Sequence, residues 1–185
     1  HLLVKVLLKP PQVVLTNYHF PSTRVHVEIV GSQIRDLVGD EALIPEGSNP
    51  FKGNIDIAKL RKAIEDVGPE NVAFVRMEAT TNLIGGQPFS MENLRKVNEV
   101  ARKYGLLMVL DGSLIGENAY FIKQREAGYA DQSIQAILIE MMDLVDIFYM
   151  SGRKSGGARG GLIATNHKHY FDQLMTWLPV YEGFS

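Results

Sequence analysis

The sequence predicts an α/β fold, a mostly parallel sheet flanked by helices, on three observations. Apolar strand-like runs alternate with amphipathic stretches of helical period along nearly the whole chain. One of those runs, "LLMVLDGS", is continuously apolar up to its acid, as expected of a strand covered on both faces. The helical stretches "DIAKLRKAIEDVG" and "SMENLRKVNEVARKYG" carry their own start and stop residues and stand between strand-like runs, as crossover elements do.

In chain order, "HLLVKVLLKPPQ" reads as the end of a helix stopped by Pro10 and Pro11. It is too short for a membrane span, contains Lys5 and Lys9, and lacks the small-residue cleavage site of a signal peptide. "QVVLTN" is a short strand, and "TRVHVEIVG" alternates with period two up to Gly31, which predicts a second strand. After the turn-rich "PEGSNPFKGN" comes the helix "DIAKLRKAIEDVG", with Asp56 as cap and Gly68 as stop. Its Ile57, Leu60, Ile64 and Val67 share one face. "VAFVRMEAT" is a strand. "SMENLRKVNEVARKYG" is a helix opened by Ser90-x-x-Asn93 and closed at Gly105, and "LLMVLDGS" is the strand behind it. "ENAYFIKQREAG" and "SIQAILIEMMDLV" are helical, "DIFYMSG" and "GLIATN" are strands around a glycine-rich turn, and "KHYFDQLMTWL" is a final helix.

The 185 residues, 45% apolar with a formal charge of −2, fit one ordinary domain. No basic excess points to nucleic acid. The absence of cysteine excludes disulfides, thiolate zinc sites and cysteine nucleophiles. There is no internal repeat and no low-complexity linker. A chain that opens inside a helix at His1 and stops at "YEGFS" reads as a piece of something longer.

Ligands of open α/β sheets sit at the carboxyl ends of the strands. Those ends carry Asn82, Asp111 and the run from Ser151 to Lys154, so an amide, an acid, a hydroxyl and an amine are expected on one edge. A lysine is most often solvated. At the end of a buried strand, however, desolvation would favour a neutral amine able to attack a carbonyl. A nucleotide site is disfavoured because the glycine spacing of a P-loop is missing before Lys154. Asp111 is either the cap of the next helix or an acid that keeps a pyridine nitrogen protonated, the requirement of pyridoxal phosphate. His167 and His169 have metal-like spacing but no further ligand nearby, and no metal site is expected. His19 and His26, in strand-like segments, read as structural, and Glu117 as an acid at a helix start.

"FKGNIDIAKLRKAIEDVGPENV", "NLIGGQPFSMENLRKV", "ENAYFIKQREAGY" and "MSGRK" resemble tryptophanase and tyrosine phenol-lyase, the pyridoxal-phosphate β-eliminating lyases of the aspartate-aminotransferase fold, fold type I. The resemblance runs from "LLKPPQ" to "YEGFS". It implies that Lys154 forms the internal aldimine and that Asp111 faces the pyridine nitrogen. Phe20 would stack on the cofactor ring, Asn82 would reach its phenolic oxygen and the substrate carboxylate, and Ser151 would contact the phosphate. The implied reaction is β-elimination of an aromatic amino acid, tryptophan to indole, pyruvate and ammonia first and tyrosine to phenol next. A potassium-type monovalent cation would assist. The resemblance also implies a cytoplasmic homo-oligomer, a dimer or tetramer, or a chain completed by a separately encoded remainder, with neither nucleic acid nor membrane as partner. Residues 1–185 would be the cofactor-binding large domain, without the family's phosphate-loop region and small domain.

The sequence also departs from the family. Leu114 stands where the family has the arginine of Asp-x-x-Arg, "SGGARGG" replaces the loop after the lysine, and Pro21 occupies the position that is aspartate in tryptophanase and threonine in tyrosine phenol-lyase. Two alternatives therefore stay open: a degenerate or fragmentary member serving as a binding or assembly module, and a related fold type I enzyme of aldolase type.

Overall fold

The computed structural model describes residues 1–183. Its strands are β1 (Val13–Thr16), β2 (Gln33–Asp36), β3 (Val72–Glu78), β4 (Met108–Asp111), β5 (Ile147–Ser151) and β6 (Gly161–Thr165). They form one 6-stranded sheet in the order β2-β1-β3-β4-β5-β6. Every pairing from β2 to β5 is parallel, and β6 closes the edge antiparallel to β5. The helices are α1 (Leu2–Leu7), α2 (Pro21–Glu28), α3 (Ile57–Val67), α4 (Met91–Lys103), α5 (Ile115–Arg125), α6 (Ile134–Asp143) and α7 (Lys168–Glu182). The expected architecture is observed.

The helix signals act as the sequence reading expects. Asp56 accepts from the backbone N–H groups of Ala58 and Lys59, and Gly68, at φ 82, ends α3 in a conformation that favours glycine. Ser90 accepts from the N–H of Asn93 and opens α4.

One element differs in kind. The stretch expected as the strand "TRVHVEIVG" is helical in α2, and the strand lies later, in β2. β1 and β2 are parallel neighbours, and a parallel connection needs a crossover, which α2 supplies. Pro21 sits at N1 with its φ set for a helix, and Arg24 pairs with Glu28 one turn on. Only Val27 of α2 is buried, so the alternation came from apolar residues left in solvent, Val25 and Ile29 among them. His26 is accordingly on a helix, not in a strand.

The strands alternate their side chains between two cores, as their period of two requires. Leu15, Val75, Met77, Met108 and Leu110 meet Leu60, Ile64, Val97, Ala119, Ile122 and Met141 from α3 to α6. Val14, Phe74, Val109 and Ile147 face the other way onto Leu3 and Leu7 of α1, Val27 of α2 and Leu174 of α7. The chain runs from β1 outward to β2 and returns on the other side of β1 as β3. The carboxyl ends of β1 and β3 thus flank a topological switch point, the expected place for a ligand crevice.

Candidate active site at the carboxyl edge of the sheet

A cavity of about 340 Å³ opens at that edge. Phe20, Asn82, Asp111, Ser151 and Lys154 all line it, together with Glu78, Ser113, Leu114 and Tyr149. The residues expected to converge are brought together.

Each is held by a different device. Phe20 is the N-cap of α2, in extended conformation directly before Pro21. Asn82 follows β3 in a short loop whose backbone is anchored twice. Its own N–H donates to Glu78 Oε1 at 3.1 Å, and the preceding Thr80, at φ 54, donates its N–H to Asn118 Oδ1 at 3.0 Å. A β-branched residue with positive φ is strained and needs such support. Asn118 also accepts from Phe89 N at 3.1 Å and donates to Phe89 O at 3.0 Å, clamping both ends of the loop.

Asp111 does not cap α5. That helix begins at Ile115 behind Leu114, and the Asp111 carboxylate stays on the sheet edge, accepting from Ser113 N at 3.0 Å and from Arg76 Nη2 at 2.7 Å. Burial pushes this carboxyl up, but Arg76 and the hydrogen bonds from Ser113 outweigh it and hold it below its ordinary range. Asp111 is an ionised carboxylate at neutral pH.

Lys154 is exposed, where the sequence reading expected it desolvated. The reason is its element: it lies past the end of β5, in the turn of the β5–β6 hairpin, and not in the strand. Its Nζ stands 5.0 Å from the centre of the Phe20 ring, within cation–π range. The turn around it is closed by Gly152 N to Gly160 O at 2.9 Å and Ala158 N to Gly152 O at 2.8 Å. Ser155 Oγ donates to Glu117 Oε2 at 2.7 Å, tying the turn to α5, while Ser151 N donates to Ser113 Oγ at 3.1 Å.

A buried layer beneath these groups has no counterpart among the residues predicted from sequence. Arg76, with its side chain 1% exposed, bonds Asp111, Glu78, Tyr149, Thr16 and the carbonyl of Tyr18. Burial alone would lower its pKa, but Tyr149, Asp111 and Glu78 push it well above the ordinary value. The Tyr149 phenol is itself pushed up by burial. The available signal was the pair of charges at i and i+2 in an otherwise apolar strand, "VRME", because charged side chains are rarely fully buried unless paired.

His19, His167 and His169 make local side-chain contacts. His19 Nδ1 lies 2.7 Å from Asp36 Oδ2 and joins the ends of β1 and β2. His167 is the N-cap of α7 with Nε2 2.9 Å from Asp146, and His169 contacts Gln173. Among the described residues no group of three or more His, Cys, Asp or Glu could hold a metal ion, and no helix is long and apolar enough to cross a membrane.

Known proteins extend this picture. The family model for beta-eliminating lyases matches residues 1–179. Tyrosine phenol-lyase of Clostridium tetani is 45% identical over 184 residues, which cover 99% of this chain and 40% of that protein. The chain thus spans about 40% of the length of such relatives. An archaeal alanine:glyoxylate aminotransferase superposes with a TM-score of 0.65 at 22% identity, over 97% of this chain and 40% of that one. A PLP-bound structure from Clostridium difficile 630 does so with a TM-score of 0.65 at 13% identity, over 97% of this chain and 42% of that one. These two likenesses show the fold. The family model reaches across nearly the whole chain, and on that match the chain belongs to the beta-eliminating lyase family, that of tryptophanase and tyrosine phenol-lyase.

Proposed function

We propose that residues 1–185 are the cofactor-binding large domain of a pyridoxal-phosphate-dependent carbon-carbon lyase that β-eliminates an aromatic amino acid. The observation that carries this reading is the lining of one cavity by Lys154, Asp111, Phe20, Asn82 and Ser151. The set fits the cofactor chemically: an aromatic wall, an ionised acid at the floor, and an amine beside the ring. When bound, pyridoxal phosphate supplies an electron sink for charge developing at the substrate α-carbon.

The chain's own groups then have definable tasks. Asp111, ionised and braced, favours a protonated ring nitrogen. Phe20 offers its face for stacking, and its ring keeps water from one side. Lys154 Nζ is the amine that would hold the cofactor and would take and return the substrate's α-proton. Asn82 offers an amide to the substrate carboxylate, and Ser151 a hydroxyl to the phosphate. Tyrosine and water would leave as phenol, pyruvate and ammonia. Sequence resemblance puts tryptophan first, while relatives named tyrosine phenol-lyase support tyrosine as the first substrate to test. A partner copy or a separately encoded remainder is expected to complete the site, in keeping with the share of its relatives that the chain covers.

Leu114, which lines the cavity where the family has arginine, favours a second reading: cofactor binding without turnover. One experiment addresses both. The chain is mixed with pyridoxal phosphate, reduced with borohydride, and the adduct is located by mass spectrometry. A label on Lys154 that vanishes in Lys154→Ala supports the cofactor site, and no lysine-dependent label overturns it. Phenol or indole release from tyrosine or tryptophan, compared in potassium and sodium salts, supports the lyase and tests the cation. Uptake without release of either favours the binding module, and aldehyde release from β-hydroxy amino acids favours the aldolase-type alternative.

A further inference from the structure

The buried cluster under the cavity carries a role that the residues above do not fill. A guanidinium has five N–H donors in a fixed fork, and all of those of Arg76 are engaged. Nε donates to the Tyr149 hydroxyl at 2.9 Å, Nη1 to Thr16 Oγ1 at 3.1 Å and Tyr18 O at 3.3 Å, and Nη2 to Glu78 Oε2 at 2.8 Å and Asp111 Oδ2 at 2.7 Å. None is left for a ligand. Arg76 can influence chemistry in the cavity only through the groups it holds.

Those groups are two carboxylates sharing one cation. Glu78 and Asp111 both line the cavity, with side chains 6% and 9% exposed. The formal charge of the trio is one negative, buried, which is costly unless a cation arrives to balance it. Asp111 has both oxygens fixed, one by Arg76 and one by Ser113 N, so its remaining lone pairs are aimed and not free to rotate. Leu114 offers no donor, so the guanidinium bonded to the cavity acids comes from β3 and not from the turn after β4.

We propose that Arg76 is a positioning residue for the cofactor: it locks the Asp111 carboxylate in place and shares it with Glu78, leaving a single net negative charge that selects a protonated ring nitrogen. This inference rests on the reading of the cavity as a pyridoxal phosphate site. The groups facing Asp111 are Arg76 and Glu78 from β3, Tyr149 from β5, Ser113 from the turn after β4, and Lys154 across the cavity.

The test compares Arg76→Met, Arg76→Lys and Glu78→Gln in the full chain with two readouts. The first is the titration of the Asp111 carboxyl in the cofactor-free chain, followed by carbon-13 NMR and assigned with Asp111→Asn. The second is the dissociation constant for pyridoxal phosphate. Arg76→Met is expected to raise the pH at which Asp111 titrates and to weaken cofactor binding on the order of tenfold or more. Arg76→Lys, which keeps the charge and loses the fork, is expected to restore most of the titration and part of the affinity. Glu78→Gln neutralises the trio and is expected to weaken binding while leaving Arg76 paired with Asp111. If Arg76→Met does not fold, the cofactor affinity of Glu78→Gln still decides. An Asp111 titration unmoved in Arg76→Met, or cofactor affinity unmoved in Glu78→Gln, overturns the proposal. Failure of the wild-type chain to take up cofactor through Lys154 would instead sink the reading of the cavity, a result distinct from the Asp111 titration in the cofactor-free chain.

Discussion

Asp146 precedes β5 with its carboxylate 4% exposed, and it accepts from Met108 N at 2.7 Å, from Arg102 Nη1 at 2.9 Å and from His167 at 2.9 Å. Burial pushes this carboxyl up, but those hydrogen bonds outweigh it and hold it below its ordinary value. A depressed acid stabilises the fold at pH above its unfolded value, near 4, and the contribution disappears as pH falls through the folded value. Asp146→Asn is therefore expected to lose about 1–3 kcal/mol at pH 7 in urea unfolding, with the gap to wild type closing below about pH 4. A gap that persists at low pH would show that packing, not charge, is what the substitution removes. Asn118→Ala makes a different demand. It leaves the buried N–H groups of Thr80 and Phe89 without their acceptor and is expected to lose about 2–4 kcal/mol, and to weaken cofactor uptake through the Asn82 loop. At this scale the sequence exposes what stands at strand ends, because a polar residue closing an apolar run is visible in one dimension. Arg76 and Asn118 are not visible that way, since their importance lies in partners up to 73 residues distant along the chain.

At the scale of elements, caps and stops were legible because they act within one turn. Asp56, Gly68 and Ser90 name the ends of α3 and α4 from local chemistry alone. α2 was not legible, because its face toward the sheet is one valine wide and its helical state is imposed by the parallel pairing of β1 with β2. The antiparallel return of β6 was equally hidden; it follows from a short loop that can only turn the chain back. That hairpin makes a testable element. A Cβ on Gly161 would stand 2.8 Å from Met150 O, inside the distance real side chains tolerate, and the obstacle is backbone. Gly161→Ala is expected to lower stability by about 1–3 kcal/mol and, by shifting the Lys154 turn, to reduce borohydride trapping at Lys154 more than Asn118→Ala does at equal residual stability. Equal trapping in the two variants would separate the hairpin's geometry from the position of the lysine.

For the whole molecule, the two faces of the sheet are unequally covered. One holds the packed layer of α3 to α6, rich in fully buried side chains such as Leu60, Ile64, Leu94 and Ile122. The other is closed by α1, α2 and α7, and α7 buries only Leu174 while Phe171, Met175 and Val180 stay exposed. Regions with few buried apolar contacts open at lower free energy than the core. Trp177, the single tryptophan of the chain, sits on α7 with Lys5 of α1 4.4 Å over its ring, so its fluorescence reports that weaker layer. In urea, the tryptophan signal is expected to change at a lower midpoint than far-UV circular dichroism, and amides of α7 are expected to exchange faster than those of α4. The acids of the cavity point to the same side as this layer, but the strands that carry Asp111 and Glu78 are anchored in the stronger core by Leu110 and Met77. Cofactor binding at Lys154 is accordingly expected to raise the circular-dichroism midpoint more than the tryptophan midpoint, because ligand stabilises the unit that holds its site. Coincident midpoints that move together on loading would instead make the two layers a single cooperative unit.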